Sequence, residues 1–328
     1  MSDDGTGFNG APRASEHWLF PRLDKMKGLV PSVSATIYEP AGMEASQRIR
    51  MLEAKVEYLL DELYRCKSAL RQISPKSELA TALMQYQLST FDYQWKALPY
   101  HDEFLTNPVW REKAFEDVAR RSDKPVDWFA GKKILDAGCG PGRHSWAFGM
   151  LGAEVTAFDA SENGLEAARR DCAGLPNVRF ERRNILEPLP YGSDFDLVWS
   201  YGVVHHTGDM ARAFNNIAQH VKPSGYLYIM VYAEPRRANV FDYQYYHEVA
   251  VIRDAIRSLN FDQKQSILEK LEGKTQALAW FDAISSEINE LYTVEELRVL
   301  FGWLGFTDVK RTMPEETMHN VVARKSAG

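Results

Sequence analysis

Ile134-Leu135-Asp136-Ala137-Gly138-Cys139-Gly140-Pro141-Gly142 is the stretch whose reading decides the fold. A short apolar run ends at a carboxylate, and glycines then alternate with other residues. Glycine lets a backbone turn tightly and approach a ligand closely. A helix expected from Arg143 would point its unpaired N–H groups into that turn. The spacing differs from the dinucleotide fingerprint G-x-G-x-x-G, because position 143, where the third glycine would fall, is Arg. Asp136 would repel a pyrophosphate and suits a cationic ligand, so a nicotinamide oxidoreductase is a distant alternative.

Outward from this turn the chain alternates. Short β-rich runs lie at 133–137, 154–158, 178–182, 195–200 and 226–232. Helical stretches at 143–151, 161–172 and 209–220 separate several of them, with Ser161 placed to cap the second. A β-α-β-α rhythm implies a parallel sheet with helices on both faces. A long helical stretch is expected over 238–290. A helix then follows over 293–304, where Thr293 and Glu296 make a capping box. Strands near 306–311 and 318–324 complete the sheet. No internal repeat is visible.

Toward the N-terminus, residues 1–40 mix Gly, Pro, Ser and charge without periodicity and read as irregular. Ile49, Leu52, Val56, Leu59, Leu63, Cys66, Leu70 and Ile73 then alternate by three and four, an a/d heptad seam within 44–74. Charges of both signs flank it at Arg48, Glu53, Lys55, Glu62 and Lys67. The 3.5 period points to self-association rather than to packing on the chain's own globular part. Arg48 to Glu53 resembles a pattern of three-stranded coiled coils, so dimer and trimer are both open. The expected organisation is an irregular 1–40, a coiled-coil helix at 41–75, a helical lid or linker at 76–130, and a main domain at 131–328 with a helical insertion at 238–290.

In order and spacing these motifs resemble the class I methyltransferase family. Its first motif, acidic-x-Gly-x-Gly-x-Gly, is matched by Asp136, Gly138, Gly140 and Gly142. The resemblance implies an α/β, Rossmann-like sheet of seven mostly parallel strands. It also implies that this loop, with Cys139, cradles the methionine part of S-adenosylmethionine. Val155 to Asp159 is similar to the family's second strand, whose terminal acid binds the ribose hydroxyls; Ala160 follows it. Arg183-Asn184-Ile185-Leu186 is similar to the loop that contacts adenine, with Asn184 where an acid is usual and its side-chain oxygen available to the adenine amino group. Asp196 to Tyr201 is similar to strand four, and Val221 to Leu227 to the turn before strand five. The match covers about 132–232. Asp136, Gly138, Cys139, Gly140, Gly142, Asp159, Ala160, Asn184, Ile185 and Tyr201 are thus the expected cofactor-binding residues.

Methyl transfer needs a nucleophile held in line with the methyl carbon and water kept out. A hydroxyl or ammonium nucleophile must also lose a proton. His205 and His206, in Val203-Val204-His205-His206-Thr207 at the carboxyl end of strand four, are the expected base or substrate ligands. His144, just inside the first helix of the domain, faces either the methionine end of the cofactor or solvent. Tyr93 and Trp95, in an aromatic cluster with Phe91, and Arg236 and Tyr246 after strand five are weaker acceptor candidates; Glu234 and Arg237 lie beside Arg236. The reaction this implies is methylation of an oxygen or nitrogen on a small-molecule or glycan-like acceptor. An RNA or protein methyltransferase is one alternative, and a non-catalytic coiled-coil scaffold is another.

Composition bounds the remaining choices. The chain has 328 residues and a formal net charge of -6, which gives a nucleic-acid substrate no electrostatic support. Cys66, Cys139 and Cys172 are far apart, so neither a disulfide framework nor a zinc site is expected, and no metal is assigned. The longest apolar run, 226–233, is too short to span a bilayer. A soluble, reducing, cytoplasmic setting is the expectation.

Overall fold

A computed structural model describes the protein over residues 78–97, 108–234, 240–314 and 318–327. The coiled-coil seam, the irregular N-terminus and Arg236 lie outside these residues. Glu78–Glu234 and Ser286–Gly328 form one compact unit. Pro235–Ser285 fall outside it, and carry the helices α6 (Val240–Ile256), α7 (Phe261–Glu272) and α8 (Lys274–Ser285). The helical stretch expected over 238–290 is made of these three helices. Asn260 and Gln263 start α7 with a reciprocal capping box, and Gly273 ends it at φ 79°, a conformation that breaks the helix before α8.

The compact unit begins with α1 (Glu78–Ala97) and α2 (Pro108–Ser122). Its sheet strands are β1 (Lys133–Ala137), β2 (Glu154–Asp159), β3 (Val178–Arg182), β4 (Phe195–Tyr201), β5 (Val221–Tyr232), β6 (Phe306–Arg311) and β7 (Met318–Lys325). They stand in the order β3-β2-β1-β4-β5-β7-β6. Strands β1 to β5 pair in parallel, and β7 runs antiparallel to both β5 and β6. This is the seven-stranded, mostly parallel sheet the sequence implied. The direction of winding reverses between β1 and β4, and open α/β sheets bind ligands at that crevice.

Helices α3 (Arg143–Met150), α4 (Glu162–Asp171), α5 (Met210–Ala218) and α9 (Val294–Trp303) follow from their caps and apolar faces. The Ser161 hydroxyl accepts the Gly164 N–H at 3.0 Å, and Thr293 and Glu296 form the expected box. Side chains alternate across the sheet as the pleat requires. Leu135, Ala137, Val198 and Ile229 pack on one face with Phe214 of α5 and Phe301 of α9. Ile134, Trp199 and Tyr228 pack on the other with Val118 of α2 and Trp146 of α3. Strand β5 starts earlier than expected, at Val221, and absorbs the predicted turn. The accommodation is local: Ser224 has φ 62° and the β4–β5 register shifts between Phe195 and Leu197.

A buried polar tie joins α2 to the sheet. The Arg121 side chain donates to Asp117 Oδ1 at 2.8 Å and to Asn320 Oδ1 at 2.5 Å. Tyr228 O–H donates to the same Asn320 oxygen at 2.6 Å. Burial opposes the Arg121 charge, but Tyr201, Tyr228 and Asp117 outweigh it and hold the guanidinium firmly protonated.

Candidate active site

The glycine turn is built by close approach. Gly138, Gly140 and Gly142 have φ of 82°, 51° and 84°, a region that costs L-residues roughly 1–2 kcal/mol each. The N–H groups of Gly138 and Cys139 donate to the Phe158 carbonyl at 2.9 and 3.0 Å, tying the turn to the end of β2. A Cβ on Gly138 would lie 2.4 Å from Val203 Cγ2, and one on Gly142 would lie 2.8 Å from Ala168 Cβ. No larger side chain fits either position.

Two carboxylates stand at this turn on neighbouring strands, Asp136 buried and Asp159 half-buried. Asp159, closing β2, accepts the Gly140 N–H at 2.7 Å on one oxygen and the Ser161 N–H at 2.8 Å on the other. Burial raises its pKa, and these N–H groups pull it back. Asp136 accepts the Ser145 hydroxyl at 2.6 Å. Burial pushes it up to about 7; the Ser145 bond opposes the rise and Asp159 adds to it. The Cys139 thiol is also buried and held well above its ordinary value by burial, which removes it as a nucleophile at neutral pH.

At the end of β4, His205 and His206 form a short 3-10 turn, Val204–His206. His206 Nδ1 lies 2.8 Å from the Ile288 carbonyl. A carbonyl only accepts, so Nδ1 carries a proton. The Gln87 amide brackets the same residue, donating to Ile288 O at 3.2 Å and accepting the Ile288 N–H at 3.0 Å. His205 is fully buried, its ring 4.0 Å from that of His206 and 4.4 Å from that of Tyr232. Neither of its ring nitrogens has a hydrogen-bond partner among the described residues. Burial, with His206 beside it, lowers its pKa well below the usual histidine value, so the ring is neutral.

Residues 134–225 match the family model described as "Methyltransferase domain". These residues carry a methyltransferase domain. Among curated relatives, a ubiquinone biosynthesis O-methyltransferase of Mesorhizobium japonicum is 26% identical over 63% of this chain and 73% of its own length. A malonyl-[acyl-carrier protein] O-methyltransferase of Salmonella typhimurium is 38% identical over 28% of this chain and 36% of its own length. For most of these relatives the chain spans about half of their length or less, from 27% to 48%. Among solved structures, magnesium protoporphyrin IX methyltransferase from Synechocystis PCC 6803, with bound SAM, overlaps at a TM-score of 0.47 and 16% identity, covering 77% of this chain and all of that one.

The methyltransferase domain brings most of the sequence-predicted cofactor residues together. Asp136, Gly138, Cys139, Gly140, Gly142 and Asp159 surround one turn, with Ala160 next to Asp159. Arg183 N–H donates to the Asp159 carbonyl at 3.0 Å and brings the β3 loop alongside. In that loop the Asn184 oxygen reserved for adenine accepts the Leu186 N–H at 3.0 Å. Ile185 is buried in the core with Phe214 and Leu189. Tyr201 lies on the α2–α3 face, where the Arg121 guanidinium sits 5.1 Å from its ring centre and the His144 ring 4.7 Å away. His144 is not exposed: it is packed between Trp199 and Tyr201, and burial drives its pKa well down.

Of the acceptor candidates, Trp95 of α1 lies against the turn, its ring 3.2 Å from the point a Cβ on Gly140 would occupy. Tyr93 is half-buried on the same helix. Tyr246 is on α6, outside the compact unit that holds the glycine turn. Sequence reading missed Asp92, Gln87 and Arg121. No local pattern marks them, because their partners lie 69, 201 and 199 positions away. No group of three or more potential metal ligands stands together among the described residues. No described helix is long and apolar enough to cross a membrane.

Proposed function

We propose that the chain is an S-adenosylmethionine-dependent methyltransferase acting on an oxygen, or a nitrogen, of a small-molecule or glycan-like acceptor. The observation that carries this reading is Asp159. Two backbone N–H groups orient its two oxygens beside a glycine turn, leaving lone pairs for a pair of vicinal hydroxyls. The residues fit the cofactor. The three glycines hold the turn at positive φ, with Val203, Trp95 and Ala168 packed against the points where their Cβ atoms would lie, and Asp136 supplies the negative charge that an ammonium or sulfonium prefers. Asp159 holds the ribose, the turn from Gly138 to Gly142 holds the methionine part, and Asn184 and Ala160 border the base. When bound, S-adenosylmethionine supplies a methyl group activated on positively charged sulfur.

His205 and His206 receive the acceptor in this reading. Buried nitrogens without partners cost roughly 1–3 kcal/mol each and call for an explanation. An acceptor hydroxyl donating to His205 satisfies one of them. His205 is neutral and so able to take the proton an oxygen nucleophile releases, while His206 beside it is held by the Ile288 carbonyl. The curated relatives, several of them O-methyltransferases, favour oxygen.

Titration calorimetry with S-adenosylmethionine, beside NADH and NADPH, tests the cofactor. Micromolar binding of S-adenosylmethionine supports the reading, and its absence together with absent S-adenosylhomocysteine binding rejects it. His205→Ala is expected to lower turnover at least tenfold, within the range of general-base contributions, with cofactor affinity changed less than threefold. Equal turnover removes His205 from the mechanism.

Asp136 gives the binding a pH dependence. In the free protein its carboxyl titrates near 7, so below pH 7 it is mostly protonated and neutral. A cationic ligand favours the ionised form and must expel that proton at low pH. Affinity for S-adenosylmethionine is therefore expected to strengthen between pH 6 and 7 by up to about fivefold. Asp136→Asn is expected to flatten that slope, and an unchanged slope in the variant assigns it to another group.

A further inference from the structure

Helix α1 touches both ends of the site. Gln87, Phe91 and Trp95 recur every four residues and share one helical face. At the near end, Gln87 brackets Ile288, whose carbonyl holds His206, and it also donates to the Ser286 hydroxyl. Phe91 sets its ring edge-on to His206 at 5.0 Å. Two turns on, Trp95 covers the glycine turn. Its ring lies 3.2 Å from a Cβ position on Gly140 and 3.1 Å from one on Gly164.

Between these ends, Asp92 acts on the start of α4. It accepts the Ser161 hydroxyl at 2.7 Å and the Asn163 N–H at 3.2 Å on one oxygen, and the Asn163 side-chain amide at 2.6 Å on the other. Ser161 is also the residue whose N–H holds Asp159, and Asp159 in turn holds the N–H of Gly140. A continuous hydrogen-bonded line runs from α1 through Ser161 and Asp159 to the turn that Trp95 covers. Asp92 thus braces the carboxylate from across the chain, although it belongs to none of the motifs.

We propose that α1 is a positioning helix. Asp92 and Trp95 set the nucleoside end of the site, Gln87 and Phe91 set the histidine end, and the rigid span between them fixes their separation. The eight steps from Gln87 to Trp95 span about 12 Å of helix axis. A ligand that moves Trp95 therefore moves the support of His206. This inference rests on the S-adenosylmethionine reading.

The test uses the full chain labelled with 5-fluorotryptophan, with the Trp95 signal assigned by Trp95→Phe, and S-adenosylhomocysteine as the probe. Fluorine NMR, histidine ring-proton NMR and calorimetric affinity are read on the same samples. Saturation is expected to shift both the Trp95 and the His206 signals. Asp92→Ala is expected to weaken S-adenosylhomocysteine about tenfold, with Asp92→Asn recovering part of the loss because it keeps an acceptor oxygen. Gln87→Ala is expected to leave affinity within about twofold and to abolish the His206 shift, a split that a general loss of structure would not produce.

If the wild-type chain binds the probe while the Trp95 signal stays still, or while Asp92→Ala binds as tightly, the positioning role is overturned and the cofactor reading stands. If the wild-type chain binds neither S-adenosylhomocysteine nor S-adenosylmethionine, the cofactor reading itself fails and takes this inference with it. Should Asp92→Ala not fold, the Trp95 and His206 signals of the unsubstituted chain decide alone.

Discussion

Asp159→Ala is expected to weaken S-adenosylhomocysteine binding by at least a hundredfold. The carboxylate is half-buried, and in the proposed complex it accepts from two ribose hydroxyls. Hydrogen bonds to a charged group contribute roughly 1.5–3 kcal/mol each, and every 1.4 kcal/mol or so is a factor of ten. Two of them exceed a hundredfold together. Alanine also leaves the Gly140 and Ser161 N–H groups without their acceptor, so some stability goes with the affinity. Asp159→Asn separates the two effects, since it keeps the shape and one acceptor oxygen. It should fold like the parent while binding at an intermediate strength. Calorimetry beside a thermal melt reads both, and parental affinity in both variants would falsify the ribose role.

Arg121→Ala carries the largest expected loss of stability. The guanidinium is 2% exposed and joins Asp117, Asn320 and the ring of Tyr201. Breaking a buried pair by removing one partner costs roughly 3–5 kcal/mol. For a domain of this size that lowers the melting temperature by on the order of 10 °C. Arg121→Lys keeps the charge but loses the fork that reaches Asp117 and Asn320 at once, so it should recover only part. Asn320→Ala should act in the same direction, because Arg121 and Tyr228 both donate to that one oxygen. A melt of Arg121→Ala within 2 °C or so of the parent would show that α2 is held by its apolar contacts, Val118 and Ala119, alone.

The legible part of the site was the part built from neighbours in sequence. The glycine turn reads directly because strand, carboxylate and glycines are consecutive, and their conformations follow from local sterics. Ser161 and Thr293 read as caps because a cap bonds within its own helix turn. Within the helical stretch read over 238–290, Asn260, Gln263 and Gly273 mark the ends of one helix, again through features local to the chain. The Asn184 side-chain oxygen also accepts an equally local N–H, that of Leu186 two residues on, a bond that a search for ligand contacts overlooks.

The sequence by itself determined the α/β alternation, the parallel core of the sheet, the cradle at 138–142 and the acid that closes β2. All of these follow from periodicity, turn chemistry and the order of short motifs. Only the tertiary structure decided which distant groups meet there. It showed that Asp92 braces Asp159 through Ser161, that Gln87 steadies His206 through Ile288, and that Arg121 ties α2 to β7. It also turned His144 inward and left the nitrogens of His205 buried without described partners. The physical reason is that a helix's own repeat fixes which residues share a face but not which surface that face meets. Docking is set by shape and burial summed over the whole core, and the polar contacts made across it join residues that no local pattern connects.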